Sequence, residues 1–527
     1  MRETILNQKA ARLYDELTRR GISRRAFLDR LGQIAGSTAA ALTMLPALEA
    51  RAQNTAAGQD ATLADLSCDV LVIGGGLAGS AASVLAGQNG ANVVLLDKSP
   101  NVAGGNSVMT SGFLYFAGKR YDAPAAELYD TVMAGGVAYP KLAMAWAENC
   151  SRVVPWLLSC GVSLRDGERG GALEPVTEIG SGPVYRKDTG TKTLNKLRAR
   201  LLQLGGTAFT QLEAVRLIWD AGRVRGVVVR RGQQEATFRA RCTVLTAGGF
   251  SNNQDMLREH IGPGAPLCKL RGSQNNTGDS LRMALEVGAK AVNLKYFYGH
   301  LLSQRALTND RLWPFPRVDG IVNNSGILID RHGSRFADEN RDGDIGVAND
   351  IARGNDPLGA SLIFDQAAWD SVRGNPNPAR PAEPSPNPWL IEKDGGLHTR
   401  PNAELLAEAL GIDGFVLART IQTFNREAAA GRFAGVPRSG RPRPLRGPLY
   451  GMKVVPGITF TMGGPLIDDR GQVLNAAEEP IPGLFAGGDA IGGLMGGYNG
   501  GYTGGVVQAL VTGMLAGENA AALAKQA

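Results

Sequence analysis

The stretch CDVLVIGGGLAGSAASVLAGQNGANVVLLDK, residues 68–98, narrows the possible folds more than any other part of the chain. Cys68–Ile73 is a short apolar run without alternation, the pattern of a strand buried on both faces. It runs into Gly74, Gly76 and Gly79, spaced as G-x-G-x-x-G, and an alanine-rich helix containing Ala78 is expected to about Gln88. A second apolar strand follows and ends at Asp97 and Lys98. In such a unit the first glycine permits a tight turn, the second lets a pyrophosphate approach the backbone, and the third lets helix and strand pack closely. The helix N-terminus offers free N–H groups and the positive end of a dipole to phosphate. Asp97 stands where a carboxylate accepts hydrogen bonds from ribose hydroxyls. The chain is therefore expected to be α/β, with a Rossmann-like dinucleotide-binding domain.

At 527 residues the chain is too long for one compact core, so two domains are expected. Its seventy glycines exceed the ordinary ~7% and cluster in particular loops. Cys68, Cys150, Cys160, Cys242 and Cys268 form no CxxC or CxxCH motif, which argues against covalent haem and iron–sulfur clusters. The four histidines are far apart, and no metal site is expected. Much of the +7 net charge sits at the start: residues 1–52 hold nine Lys/Arg against five acids. No basic stripe interleaved with aromatics supports nucleic-acid binding.

Those first residues have the layout of an export signal. Arg24 and Arg25 precede a mildly apolar, alanine-rich stretch from Leu31 to Leu48, and Ala50-Arg51-Ala52 gives a small-residue cleavage site before Gln53. Paired arginines mark the bacterial twin-arginine translocation machinery, which exports folded proteins. At 18 weakly apolar residues the stretch falls short of the ~20 of a typical spanning helix; an amphipathic anchor is the alternative. The expected product is a soluble periplasmic protein without a stable membrane span, carrying a cofactor loaded before export.

The G-x-G-x-x-G unit does not choose between NAD and FAD; the later glycine-rich stretches do. AGGNSVMTSGF, residues 103–113, holds Gly104, Gly105, Asn106, Ser107, Ser111 and Gly112, a loop able to wrap a ribitol–pyrophosphate chain. TVLTAGGF brings a strand to Gly248, NNTGDSLRMALEVGA puts Asp279 at a helix start, and GLFAGGDA supplies Gly488 and Asp489. A pyrophosphate would repel Asp489, so its partners are expected to be ribitol hydroxyls. AGGDAIGGLMGGYNGGYTGGVV, residues 486–507, is too rich in aromatic and aliphatic residues for a flexible linker. Its paired glycines, including Gly504, suit backbone pressed against a flat ring. The apolar helix that follows is then expected to aim its positive N-terminal end at that ring.

Together these stretches resemble the FAD-dependent family that includes fumarate reductase flavoproteins, flavocytochrome c fumarate reductases, 3-ketosteroid Δ1-dehydrogenases and tricarballylate dehydrogenases. The resemblance spans about Ser67 to Leu523. It implies a discontinuous FAD-binding domain, residues 67–297 and 460–527, with an inserted α+β capping domain, 298–459, that covers the substrate.

It also implies candidate substrate residues. His300 in YFYGHLLSQ matches a substrate histidine, and Arg341 in GSRFADENRDGD matches a catalytic arginine, after a two-residue shortening. Thr459 and Phe460 replace a histidine pair, Met495 another histidine, and Asn499 a carboxylate-binding arginine. A buried carboxylate needs a charged partner, so fumarate is disfavoured. Tyr498 matches the tyrosine that polarises a ketone in the steroid and tricarballylate enzymes, and its phenol can donate to a developing enolate. Structural roles stay open for each: His300 as a satisfied hinge residue, Arg341 as a solvated ion-pair member, Tyr498 and Tyr502 as core aromatics. Tyr296 and Tyr298 are not separable.

The expected activity is hydride transfer between flavin and a carbon next to a carbonyl or carboxylate. The substrate is expected to be a small carboxylate or ketone, and the separate electron partner a quinone or cytochrome. A dicarboxylate reductase and a flavin-carrying electron-transfer subunit are the alternatives.

Overall fold

The computed structural model describes residues 63–100, 105–110, 114–162, 164–169, 172–177, 188–309, 312, 321, 325–341, 345–372, 388–498 and 501–526. The signal layout of residues 1–52, Gly104, Ser111, Gly112, Asn499 and the proline-rich segment 375–387 lie outside them.

The apolar run beginning at Cys68 forms β1 (Leu66–Ile73), followed by α1 (Leu77–Gln88) and β2 (Val93–Leu96). Farther on come β3 (Thr207–Phe209), β4 (Glu213–Asp220), β5 (Arg223–Arg231) and β6 (Gln234–Leu245). Helix α2 (Asp279–Glu286) precedes β7 (Phe297–Ser303), β8 (Ile327–Ile329), α3 (Ile345–Arg353), β9 (Ser361–Asp365) and β10 (Leu449–Thr461). The chain closes with β11 (Gln472–Leu474), β12 (Pro480–Ala486) and α4 (Gly505–Gln526).

The larger sheet has eight strands, with the path β11-β12-β6-β1-β2-β3. Strands β12, β6, β1, β2 and β3 pair in parallel, while the β4–β5 hairpin joins antiparallel to β6. Because β12 comes from the far end of the chain, this sheet is assembled from both ends. β1 and β2 are buried on both faces, which explains their unbroken apolar runs. Helix α4 packs along α1: a Cβ at Gly513 would lie 2.3 Å from the Ala78 carbonyl oxygen, and one at Gly517 2.2 Å from that of Ala82.

A second, six-stranded sheet has the path β7-β10-β9-β8, with Lys269–Leu270 and His398–Arg400 also paired to β10. Positions 298 and 459, where the inserted region was expected to begin and end, fall inside β7 and β10. These two strands pair antiparallel, with a register shift between Tyr298 and Gly299. The bulge leaves Thr459 between Ile458, opposite Gly299, and Phe460, opposite Tyr298.

Candidate active site

The β1–α1 turn is shaped by close approach. Gly74 has φ +105°, and a Cβ there would lie 2.4 Å from the Thr246 carbonyl oxygen. A Cβ at Gly79 would lie 1.8 Å from the Gly74 carbonyl oxygen, so the third motif glycine serves helix packing. One pocket above this turn is lined by Gly74, Gly76, Ala78, Asp97, Lys98, Gly105, Asn106, Ser107, Gly248, Asp279, Gly488 and Asp489. Gly79 and Gly504 are not in that lining; a Cβ at Gly504 would meet the Tyr115 carbonyl oxygen at 1.9 Å.

The walls are cross-braced. Asp97 Oδ2 accepts from the Gly75 N–H at 2.7 Å, holding the turn against the end of β2. Ser107 Oγ accepts from the Leu77 N–H at 2.9 Å, at the start of α1. Lys98 Nζ donates to Asp279 Oδ2 at 2.7 Å, across to the first turn of α2. Asp489 accepts from Asn106 Nδ2 at 3.1 Å, and burial, only partly offset by that bond, pushes its carboxyl up to about 6. These residues fit a flavin dinucleotide. The glycine turn leaves no room for side chains, and Asp489 retains acceptor capacity suited to ribitol hydroxyls.

Among the candidate substrate residues, Arg341 is buried, and its guanidinium lies 3.8 Å from the centre of the Tyr498 ring. Its Nη2 donates to the Gly346 carbonyl at 3.0 Å and to Asp350 Oδ2 at 2.5 Å. Burial works against its charge, but the interactions with Tyr498 and Asp350 win and raise its proton affinity above the usual arginine value. Tyr498 is 65% exposed, so it is no core aromatic. His300 is buried on β7, its Nε2 3.0 Å from the Tyr298 hydroxyl. Tyr298 in turn stacks on Tyr502, ring centres 4.1 Å apart. Burial pushes the Tyr502 phenol up, and its oxygen accepts from the Gly505 N–H at the start of α4.

Residues 69–506 match the family model described as FAD binding domain. The chain belongs to this family. It is an FAD-dependent oxidoreductase acting on CH–CH groups, the activity class of its relatives. A probable fumarate reductase of Shewanella frigidimarina is 31% identical over 443 residues, covering 81% of this chain and 70% of that protein. The open conformation of a flavocytochrome c3 fumarate reductase superposes with TM-score 0.63 at 27% identity, covering 90% of this chain and 81% of that one. The 3-ketosteroid-Δ4-(5α)-dehydrogenase of Rhodococcus jostii RHA1 gives TM-score 0.67 at 24% identity, covering 88% and 99%, and shares the fold.

In this flavoprotein several glycines of the run lie against other backbone. Besides Gly504, a Cβ at Gly492 would lie 2.4 Å from the Val292 carbonyl oxygen, and one at Gly497 2.0 Å from that of Gly135. These glycines make room for other backbone, whereas Gly488 lines the cofactor pocket. The structure also separates the two tyrosines. Tyr298 belongs with His300, while the Tyr296 ring packs on Gly496 with the Arg353 guanidinium 5.3 Å from its centre.

The substituted positions have defined surroundings. Phe460 lies 5.2 Å from Tyr298 between ring centres, and buried Met495 packs in the same cluster with Met462. The Thr459 carbonyl accepts from Asn106 Nδ2 at 3.1 Å, tying the bulge to the cofactor pocket. Its hydroxyl accepts from Arg271 Nη1 at 2.7 Å. Sequence reasoning missed Arg271. It is buried and crosses Gly457, where a Cβ would lie 2.3 Å from its Cδ. Gly457 pairs directly with His300, and directly opposed residues of an antiparallel pair share a face. Arg271 therefore lies on the His300 face. A lone arginine after a two-residue strand carries no periodic signal that would have marked it.

Proposed function

We propose that this flavoprotein is a periplasmic enzyme, exported by the twin-arginine route, that desaturates or reduces a C–C bond next to a carbonyl or carboxylate. Its electrons pass to or from a separate quinone or cytochrome. The proposed architecture is an FAD domain from 67–297 and 460–527, with 298–459 as the cap. The observation that carries the reading is the Arg341–Tyr498 pair: a charged, anchored guanidinium stacked on an accessible phenol.

Bound FAD supplies a hydride acceptor and donor. The chain's own residues bind and polarise the substrate. The Tyr498 hydroxyl donates to the carbonyl oxygen as enolate character develops, which acidifies the adjacent C–H. Arg341 holds a carboxylate, or passes on the proton lost from that carbon by handing one of its own to Asp350 as it takes that one up. His300, oriented by Tyr298, binds the remainder of the substrate. In the reducing direction the proton and hydride return to the same two carbons.

A second reading, reduction of a dicarboxylate, is favoured by Arg271, which brings a further cation to the His300 face although Asn499 stands where an arginine was expected. Anaerobic mixing of the reduced holoenzyme with monocarboxylic enoates, enones and fumarate, following flavin absorbance near ~450 nm, tests both. Reoxidation by monocarboxylic enoates or enones supports the first reading. Rapid turnover with fumarate that is lost in Arg271→Gln supports the second. If only a partner protein, and no small molecule, changes the flavin's redox state, the chain is an electron-transfer subunit instead.

A further inference from the structure

A second cleft, sharing no lining residue with the cofactor pocket, opens to solvent at the end of β7 and has a volume of about 470 Å³. Arg305, His398 and Lys453 line it together with Leu307, Leu358 and Leu410. Its walls are tied together. Ser303 Oγ donates to the Gly395 carbonyl at 2.6 Å and accepts from the Arg305 N–H at 3.2 Å. Gln304 Nε2 donates to the Leu358 carbonyl at 2.8 Å. Lys453 projects from β10, and His398 from the short strand His398–Arg400 paired to it.

The cleft is one-signed. Among the described residues no ion pair joins Arg305 or Lys453 to a carboxylate. The proton affinity of His398 is lowered by burial and then by Arg400, Arg305 and Lys453. Those three are the charges that act on it from the surrounding strands and turn, and all are positive. Arg305 and Lys453 stand exposed at the open side of the cleft, where a field of one sign attracts an anion. The volume falls in the range of small-ligand sites, and the leucines offer an apolar wall that charge alone does not require.

We propose that this cleft is a binding site for a small organic anion, its phosphate or carboxylate head held by Arg305, His398 and Lys453 and its apolar body lying against the leucines. The inference is independent of the substrate assigned above, because none of these residues belongs to the cofactor pocket or to the Arg341–Tyr498 pair. An anion seated there draws a proton onto His398, so binding and protonation of that imidazole strengthen each other.

The test is calorimetric titration of the FAD-loaded full chain with hexyl phosphate and with inorganic phosphate. Hexyl phosphate is expected to bind more tightly than inorganic phosphate, and at least about tenfold more weakly to the Arg305→Gln/Lys453→Gln double variant. The flavin spectrum and basal activity of that variant should be unchanged. With only four histidines in the chain, the resonance lost in His398→Gln assigns that ring by NMR, and its titration midpoint should rise when hexyl phosphate is bound. Absence of binding, equal affinity in the double variant, a His398 midpoint that does not move, or equal affinity for the two phosphates overturns the proposal.

Discussion

Tyr498 and Asp489 show how one side chain's surroundings set its chemistry. Tyr498 is held from one side by Arg341 and is otherwise open, so its ring contributes little to packing. Tyr498→Phe keeps the ring under the guanidinium and removes only the hydroxyl. Turnover should fall about 100-fold while thermal stability stays within roughly 0.5 kcal/mol, checked by steady-state kinetics and melting of one preparation. Asp489 is the opposite case. Burial pushes its carboxyl up to about 6 in the folded chain, above the ordinary carboxylate value of about 3.9. The folded cofactor-free protein therefore binds more protons than the unfolded chain between roughly pH 4 and pH 6, and loses stability as pH rises through that window. Asp489→Asn removes this penalty. Urea titrations of deflavinated protein should find the variant more stable than wild type at pH 7, with the advantage fading towards pH 4.

At the scale of the element, α4 is the clearest case of composition and use diverging. Gly505–Gln526 is long and apolar enough to cross a membrane, yet 72% of its most apolar window is buried inside the protein. Its apolar surface is spent on α1 and the larger sheet, with Gly513 and Gly517 allowing its backbone to approach that of α1. Gly517→Val forces the two helices apart. The expected loss is about 3 kcal/mol, read as a lowered urea midpoint with an unchanged slope, accompanied by weaker flavin retention because α1 carries the cofactor turn. The β10 bulge is the other element-scale device. It places Thr459 between Asn106 at the cofactor pocket and Arg271 on the His300 face.

At the scale of the whole molecule, the proposed export route has a direct test. Replacing Arg24 and Arg25 by lysine should leave a folded, yellow, uncleaved protein in the cytoplasm, whereas the parent chain should yield periplasmic protein beginning near Gln53, measured by fractionation and intact mass. Much of the cofactor site was legible before any tertiary structure. Gly74, Gly76, Gly79 and Asp97 lie within one continuous strand–turn–helix–strand, where spacing follows from backbone sterics and helical or extended repeat. The helices starting at Asp279 and Gly505 were legible for the same reason. Arg341 against the Tyr498 ring, Arg271 across Gly457 and the division of labour between Tyr296 and Tyr298 were not. They depend on which distant segments meet and on a one-residue bulge that no local pattern encodes. In the glycine run, a missing side chain announces a close approach without saying what approaches. Sequence alone determined the cofactor class and the frame that holds it, because those rest on short-range geometry. Only tertiary packing decided which side chains face one another across the site, because burial and long-range contact set that choice.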